Sequence, residues 1–189
     1  MNSINYTNLE NFLNSINSEK LNFDDFWILG DITSLSEQTH GQRLEFHRGP
    51  LLYSLISHLK PKKILEFGTG GGYSTLCMAK ALVDNDIDGH IYTIDRVDND
   101  EKIDRFFKLP NDNSPQKKKI SNKELWELSV KNSLIHKITT VAGYSGIAMD
   151  KIKDKDFDFC YIDGSHSYDG TKHDFFSFLS IASKKFSIL

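Results

Sequence analysis

Lys63-Ile64-Leu65-Glu66-Phe67-Gly68-Thr69-Gly70-Gly71-Gly72-Tyr73-Ser74-Thr75 is the stretch on which the reading of this 189-residue chain turns. Lys63–Phe67 is a short, mainly apolar run suited to a buried strand, and 73–82 carries apolar side chains at helical spacing. Between them, Gly68, Gly70, Gly71 and Gly72 leave out the side chains that would keep a ligand away from the backbone. Strand, glycine turn and helix, in that order, open a nucleotide-binding α/β unit.

The alternation continues downstream. His90–Asp95, Ile138–Ala142, 157–163 and 186–189 read as strands. The segments 124–133, 146–152 and 168–182 read as helices, the first behind a capping box of Ser121 and Glu124. Such strand–helix repeats predict an α/β fold with a doubly wound, mostly parallel sheet, helices on both faces and right-handed crossovers. Upstream, Thr7 and Glu10 form a capping-box pattern ahead of Leu9, Phe12, Leu13 and Ile16. Phe23–Thr33 is an aromatic cluster that either pads the core or overhangs a site, and 42–59 reads as a helix interrupted near Gly49-Pro50. The expected organisation is an N-terminal helical segment, residues 1–60, packed on an α/β ligand-binding domain, residues 61–189. Segment 108–123, with Pro110, Pro115 and Lys117-Lys118-Lys119, reads as a solvated, mobile insertion; a lid over the substrate is the sharper alternative.

A formal net charge of −3, from 23 basic and 26 acidic residues, gives no field that would gather nucleic acid. The first twenty residues lack the basic and apolar regions of a signal peptide, and no run is long enough to span a bilayer. The two cysteines, Cys77 and Cys160, fall in a helix and a strand and read as buried free thiols of a reducing compartment. The expected location is the cytoplasm. A small-molecule substrate is the expected partner, nucleic acid and membrane are not, and self-association is left open.

Dinucleotide-binding enzymes space their glycines as G-x-G-x-x-G, and here Tyr73 occupies the third position, so an NAD-dependent oxidoreductase is the weaker reading. Glu66, two residues before Gly68, would repel a pyrophosphate but could accept hydrogen bonds from the cationic amino group of a methionine. Asp95 ends the next strand, where a carboxylate can accept from both ribose hydroxyls of an adenosine ligand; a cap or turn former is its bland alternative.

Three segments together, 64–75, Ile94-Asp95 and 157–168, resemble the class I S-adenosylmethionine-dependent methyltransferases. The last contains Asp163-Gly164-Ser165-His166-Ser167-Tyr168 and is similar to the branch of macrocin O-methyltransferase-like and cephalosporin-hydroxylase-like proteins. The likeness runs from about Arg48 to the C-terminus. It implies a Rossmann-like class I methyltransferase fold and S-adenosylmethionine as cofactor. By the same likeness Glu66, Gly68, Thr69, Gly70, Gly72, Tyr73 and Ser74 would surround the methionine half, Asp95 would hold the ribose, and Tyr144 and Ser145 would lie near the adenine. The family often has an acid where this chain has Tyr144, whose ring could stack on the base.

The reaction implied is methyl transfer to an oxygen of a small hydroxylated metabolite or sugar. Asp163 and His166 are the expected catalytic residues. Asp163, which also borders the cofactor, stands where related O-methyltransferases bind Mg²⁺, although one aspartate does not fill an octahedral site. His166 reads as the general base or as a residue that orders its loop. Asp169 and His173, four apart on a helix, read as an exposed ion pair. The family pattern continues past a fifth strand, whereas this chain ends inside it; a C-terminally truncated, non-catalytic cofactor-binding fragment is therefore the second expectation.

Overall fold

The computed structural model of the chain describes residues 21–38 and 46–189. The pattern at Thr7 and Glu10 and the helix expected behind it lie outside the described residues, as do positions 42–45. In chain order the elements are α1 (Phe23–Thr33), α2 (Arg48–Leu59), β1 (Lys63–Phe67), α3 (Tyr73–Asp84), β2 (His90–Asp95), β3 (Ile103–Phe107) and β4 (Gln116–Ile120). They continue with α4 (Asn122–Ser129), α5 (Asn132–Ile135), β5 (Ile138–Ala142), α6 (Ser145–Met149), β6 (Phe157–Ile162), α7 (Tyr168–Leu179) and β7 (Ala182–Ile188).

Five strands form one parallel sheet in the order β5-β2-β1-β6-β7. Successive side chains of a strand point to opposite faces, and β1 shows both faces covered. Ile64 packs with Leu52, Ile56, Met78 and Leu82 of α2 and α3, while Leu65 and Phe67 pack with Ala148, Ile152 and Phe178 on the other side. Burying each of the larger of these side chains contributes about 1.5–3 kcal/mol. The chain builds outward from β1 through β2 to β5, then returns to place β6 on β1's other edge. The reversal puts a crevice at the C-terminal ends of β1 and β6, where open α/β sheets bind ligands. The glycine turn follows β1 and Asp163 follows β6, so both residue sets flank that crevice.

The helical N-terminal part serves packing and positioning together. Asn22 caps α1, and Phe26, Leu29 and Ile32 recur on its buried face. Phe26 enters a cluster with Tyr73 and Trp126. Helix α2 contains Gly49-Pro50 in its first turn, where proline's missing N–H has no intrahelical partner to lose, so the expected interruption does not occur there.

Three further expectations are corrected. Segment 124–133 is two helices, because Val130 adopts extended geometry (φ −120°, ψ 144°) after Ser129 and packs on the core. Helix α7 stops at Leu179 and β7 begins at Ala182, which pairs with Phe157. Segment 108–123, although mostly exposed, contains half of an ordered antiparallel hairpin, β3–β4, rather than a mobile insertion. Phe107 and Ile120 bury against Ile32 and Leu125, Lys117 pairs with Glu37 at 2.8 Å, and the Lys108 N–H donates to the Asp31 carbonyl at 2.8 Å. The unbroken run Lys117-Lys118-Lys119 across β4, with a single buried residue at its end, obscured this hairpin in the sequence.

Candidate functional site

The glycine turn is gripped by protein on three sides and open on the fourth. A Cβ at Gly68 would lie 2.3 Å from the Asp163 carbonyl oxygen, one at Gly71 2.0 Å from the Thr33 carbonyl oxygen, and one at Gly72 2.2 Å from the Trp126 ring. Trp126 also donates from Nε1 to the Gly71 carbonyl at 3.1 Å. Gly70 differs: its φ of +54° is left-handed, yet nothing lies within 4 Å of the place a Cβ would take. The open side of the turn is thus at Gly70, and it faces solvent.

Asp95 holds the same residue. Its Oδ2 accepts from the Gly70 N–H at 2.7 Å and its Oδ1 from the Val97 N–H at 2.9 Å. The Asn122 Nδ2 donates to the Gly70 carbonyl at 2.9 Å. Beside Gly70 lies a small cleft walled by Thr69, Asp95, Asn99 and Asn122, with Val141 and Ala142 from the end of β5. The side-chain oxygens of Asn99 and Asn122 are buried without a hydrogen-bond partner. Arg105, on the hairpin, also buries its Nε without an acceptor; burial lowers its pKa and the Asp95 charge opposes that. Native structures leave few such atoms unsatisfied, so their gathering near one cleft marks a place for a ligand or ordered water.

Glu66 lies beneath the turn, 0% exposed. Its Oε2 accepts from Thr75 Oγ1 at 2.5 Å and from Thr93 Oγ1 at 2.6 Å, while Oε1 is buried without a partner in hydrogen-bonding geometry. Since Thr93 spends its one hydroxyl hydrogen on Glu66, the 2.7 Å contact between Thr69 and Thr93 runs with Thr69 as donor. Burial pushes the Glu66 carboxyl up from 4.5 to about 7; the hydroxyls of Ser74, Thr75 and Thr93 oppose the rise and Asp163 adds to it.

On the other side of the crevice, Asp163 donates its N–H to the Phe67 carbonyl at 2.9 Å, and its Oδ2 accepts from Arg48 Nη1 at 2.8 Å. His166 is exposed and lines a groove of about 590 Å³ with Ile162, Tyr168, Thr171, Phe175 and Leu189. Ser167 caps α7 by accepting from the Gly170 N–H at 3.1 Å, which anchors the far end of the Asp163–His166 loop. Asp169 and His173 do not form the expected ion pair; His173 instead lies near Ser177, at 3.5 Å.

The sequence profile of the family described as "Methyltransferase domain" matches residues 65–189, about two thirds of the chain. This chain belongs to that family. A protein of Sinorhizobium fredii, "Uncharacterized protein y4gI", is 27% identical over 127 residues, and the match takes in 67% of this chain but only 12% of that much longer protein. Among solved structures, SAH-bound PaMTH1 of Podospora anserina aligns over 100% of this chain and 72% of its own, with 16% identity and a TM-score of 0.57. The O-methyltransferase TomG of Streptomyces achromogenes, in complex with SAM, aligns over 95% of this chain and 69% of its own, with 18% identity and a TM-score of 0.55. The doubly wound sheet is the Rossmann-like class I methyltransferase fold.

Within this methyltransferase domain the sequence-predicted residues divide. Gly68, Thr69, Gly70 and Asp95 converge on the crevice. Gly72 supports the turn from behind, against Trp126. Tyr73, expected at the ligand, turns its side chain into the core at 1% exposure and donates its hydroxyl to the Phe46 carbonyl at 2.8 Å; Ser74 is likewise buried. Tyr144 stands 68% exposed at the start of α6, beside half-buried Ser145, while β5 reaches the cleft through Val141 and Ala142.

Arg48, Asn99, Arg105 and Asn122 carried no local signal and emerge only from their contacts. The donor set for a magnesium ion does not fit: a hard cation needs several oxygen ligands, and Asp163 already holds the Arg48 guanidinium. Among the described residues, no three His, Cys, Asp or Glu side chains gather to hold a metal. No described helix is long and apolar enough to cross a membrane.

Proposed function

We propose that this domain binds S-adenosylmethionine and transfers its methyl group to an oxygen of a small hydroxylated metabolite, a sugar being one such acceptor. The observation that carries the reading is Asp95, whose carboxylate ends β2, holds the Gly70 N–H at 2.7 Å and opens into the cleft beside the free side of the glycine turn. The donor chemistry of that cleft fits the cofactor: acceptor oxygens without donors suit a nucleoside rich in hydroxyl and amino hydrogens. The SAH-bound and SAM-bound neighbours of the same fold support it.

When bound, S-adenosylmethionine supplies an electrophilic methyl group carried on a sulfonium. The residues of the chain then have distinct tasks. The open side of Gly68–Gly72 receives the amino-acid half, and Asp95 retains lone pairs for ribose hydroxyls after accepting its two backbone N–H bonds. The groove beside His166 takes the acceptor, and His166 removes the hydroxyl proton as the new C–O bond forms. Arg48 fixes Asp163 at the root of the loop that carries His166, so the pair acts by alignment.

Calorimetry with S-adenosylmethionine and its demethylated product tests the cofactor half, and absence of binding to folded protein would falsify it. Asp95→Ala should weaken that binding by about 1–3 kcal/mol, because it orphans both backbone donors and the ligand's hydroxyls. Unchanged affinity removes Asp95 from the site. For the chemical half, acceptor-dependent release of demethylated cofactor across a panel of hydroxylated compounds is expected; none would reduce the domain to cofactor binding.

A further inference from the structure

We infer that Asn122 is a second ribose-holding residue, whose side-chain carbonyl shares the nucleoside's vicinal hydroxyls with Asp95. The inference rests on the cofactor reading above and adds a residue to it. Asn122 opens α4 and is 4% exposed, although its residue type is usually found at the surface. Its amide cannot be turned end for end. The bond to the Gly70 carbonyl at 2.9 Å requires a donor, and only the NH₂ end can supply one. The remaining Oδ1 is therefore an acceptor, buried and without a donor, on a residue that lines the same cleft as Asp95.

The two residues are held in one frame. Asp95 takes the N–H of Gly70 and Asn122 donates to its C=O, so a single residue of the glycine turn sets both acceptors against the cleft. A buried carbonyl oxygen left without a hydrogen bond is destabilising, and a ligand that supplies the missing donor regains that free energy on binding. Ribose has two adjacent hydroxyl donors; the wall has a carboxylate and an amide oxygen to receive them. Asn122 comes to this place from the helix that follows hairpin β3–β4, and that hairpin is itself pinned by Phe107 and Ile120 against Ile32 and Leu125.

The test deletes the two halves of the contact in turn. Wild type, Asn122→Ala and Asn122→Ser are titrated by calorimetry with demethylated cofactor, 5′-methylthioadenosine and the 2′-deoxy and 3′-deoxy forms of that nucleoside. Asn122→Ala should weaken methylthioadenosine about tenfold but one of the deoxy forms by no more than about twofold, since that ligand lacks the hydroxyl the amide received. Equal losses for all three nucleosides would mean that Asn122 only supports Gly70, and would overturn the inference, as would no loss at all. Asn122→Ser carries the same comparison if the alanine variant does not fold. Wild type alone must also lose affinity with each hydroxyl removed; a deoxy form that binds as well as the parent overturns the shared-diol geometry. Wild type binding neither methylthioadenosine nor demethylated cofactor would instead bring down the cofactor reading itself.

Discussion

Glu66→Gln should remove a pH dependence of stability that the wild-type protein carries. In the folded chain the Glu66 carboxyl titrates at about 7 rather than 4.5, because burial disfavours its charge more than its hydroxyl neighbours favour it. Below the lower value it is protonated in folded and unfolded states alike, and no difference arises. Between the two, the unfolded chain has released the proton while the folded chain has kept it, so stability falls as pH rises. Above about 7 the loss is complete. At about 1.4 kcal/mol for each tenfold difference in proton affinity, it amounts to about 3 kcal/mol. The side chain is wholly buried, so solvent screening does not reduce this figure.

Glutamine can offer one oxygen to Thr75 and Thr93 and has no proton to lose. Urea unfolding followed by the emission of buried Trp126, from about pH 4.5 to about pH 8, reads both proteins. The gap between wild type and variant should shift by about 3 kcal/mol across that range, in favour of the variant at the alkaline end. A constant gap would refute the argument, since it would mean that Glu66 ionises in the folded state as it does in the unfolded one.

Gly70→Ala should fold at a cost of about 1–2 kcal/mol for its left-handed backbone and lose cofactor affinity, whereas Gly71→Ala should lose several kcal/mol of stability because its Cβ would meet the Thr33 carbonyl oxygen at 2.0 Å. Thermal melts and calorimetry separate the two, and full affinity in Gly70→Ala would place the ligand elsewhere. Arg48→Ala breaks a largely buried ion pair and leaves the Asp163 carboxylate without its donor, which should cost about 1–3 kcal/mol of stability, yet lower turnover with cofactor affinity little changed. Wild-type turnover in that variant would exclude the pair from the reaction. Burial pushes the thiols of Cys77 and Cys160 up, so a thiol reagent should label neither in the folded protein and both after denaturation; rapid labelling of native protein contradicts the packing described.

The sequence by itself determined the frame. Strands Lys63–Phe67 and His90–Asp95, inside the sheet, and Ile138–Ala142, at its edge, have the bounds that apolar runs and flanking breakers predict, because that pattern is carried by residues adjacent in the chain. Gly70 and Asp95 were legible for the same reason, since a glycine turn and a strand-terminal acid are local features of a βαβ unit. The rest was decided by tertiary structure. Arg48 meets Asp163 across 115 positions and Asn122 meets Gly70 across 52, and no local periodicity specifies such partners. Glu66 shows the difference within one residue: its place before the turn could be read directly, but its raised pKa could not. That property depends on how completely the folded chain excludes water from the carboxylate, and on Thr93 arriving from a neighbouring strand to hold only one of its two oxygens.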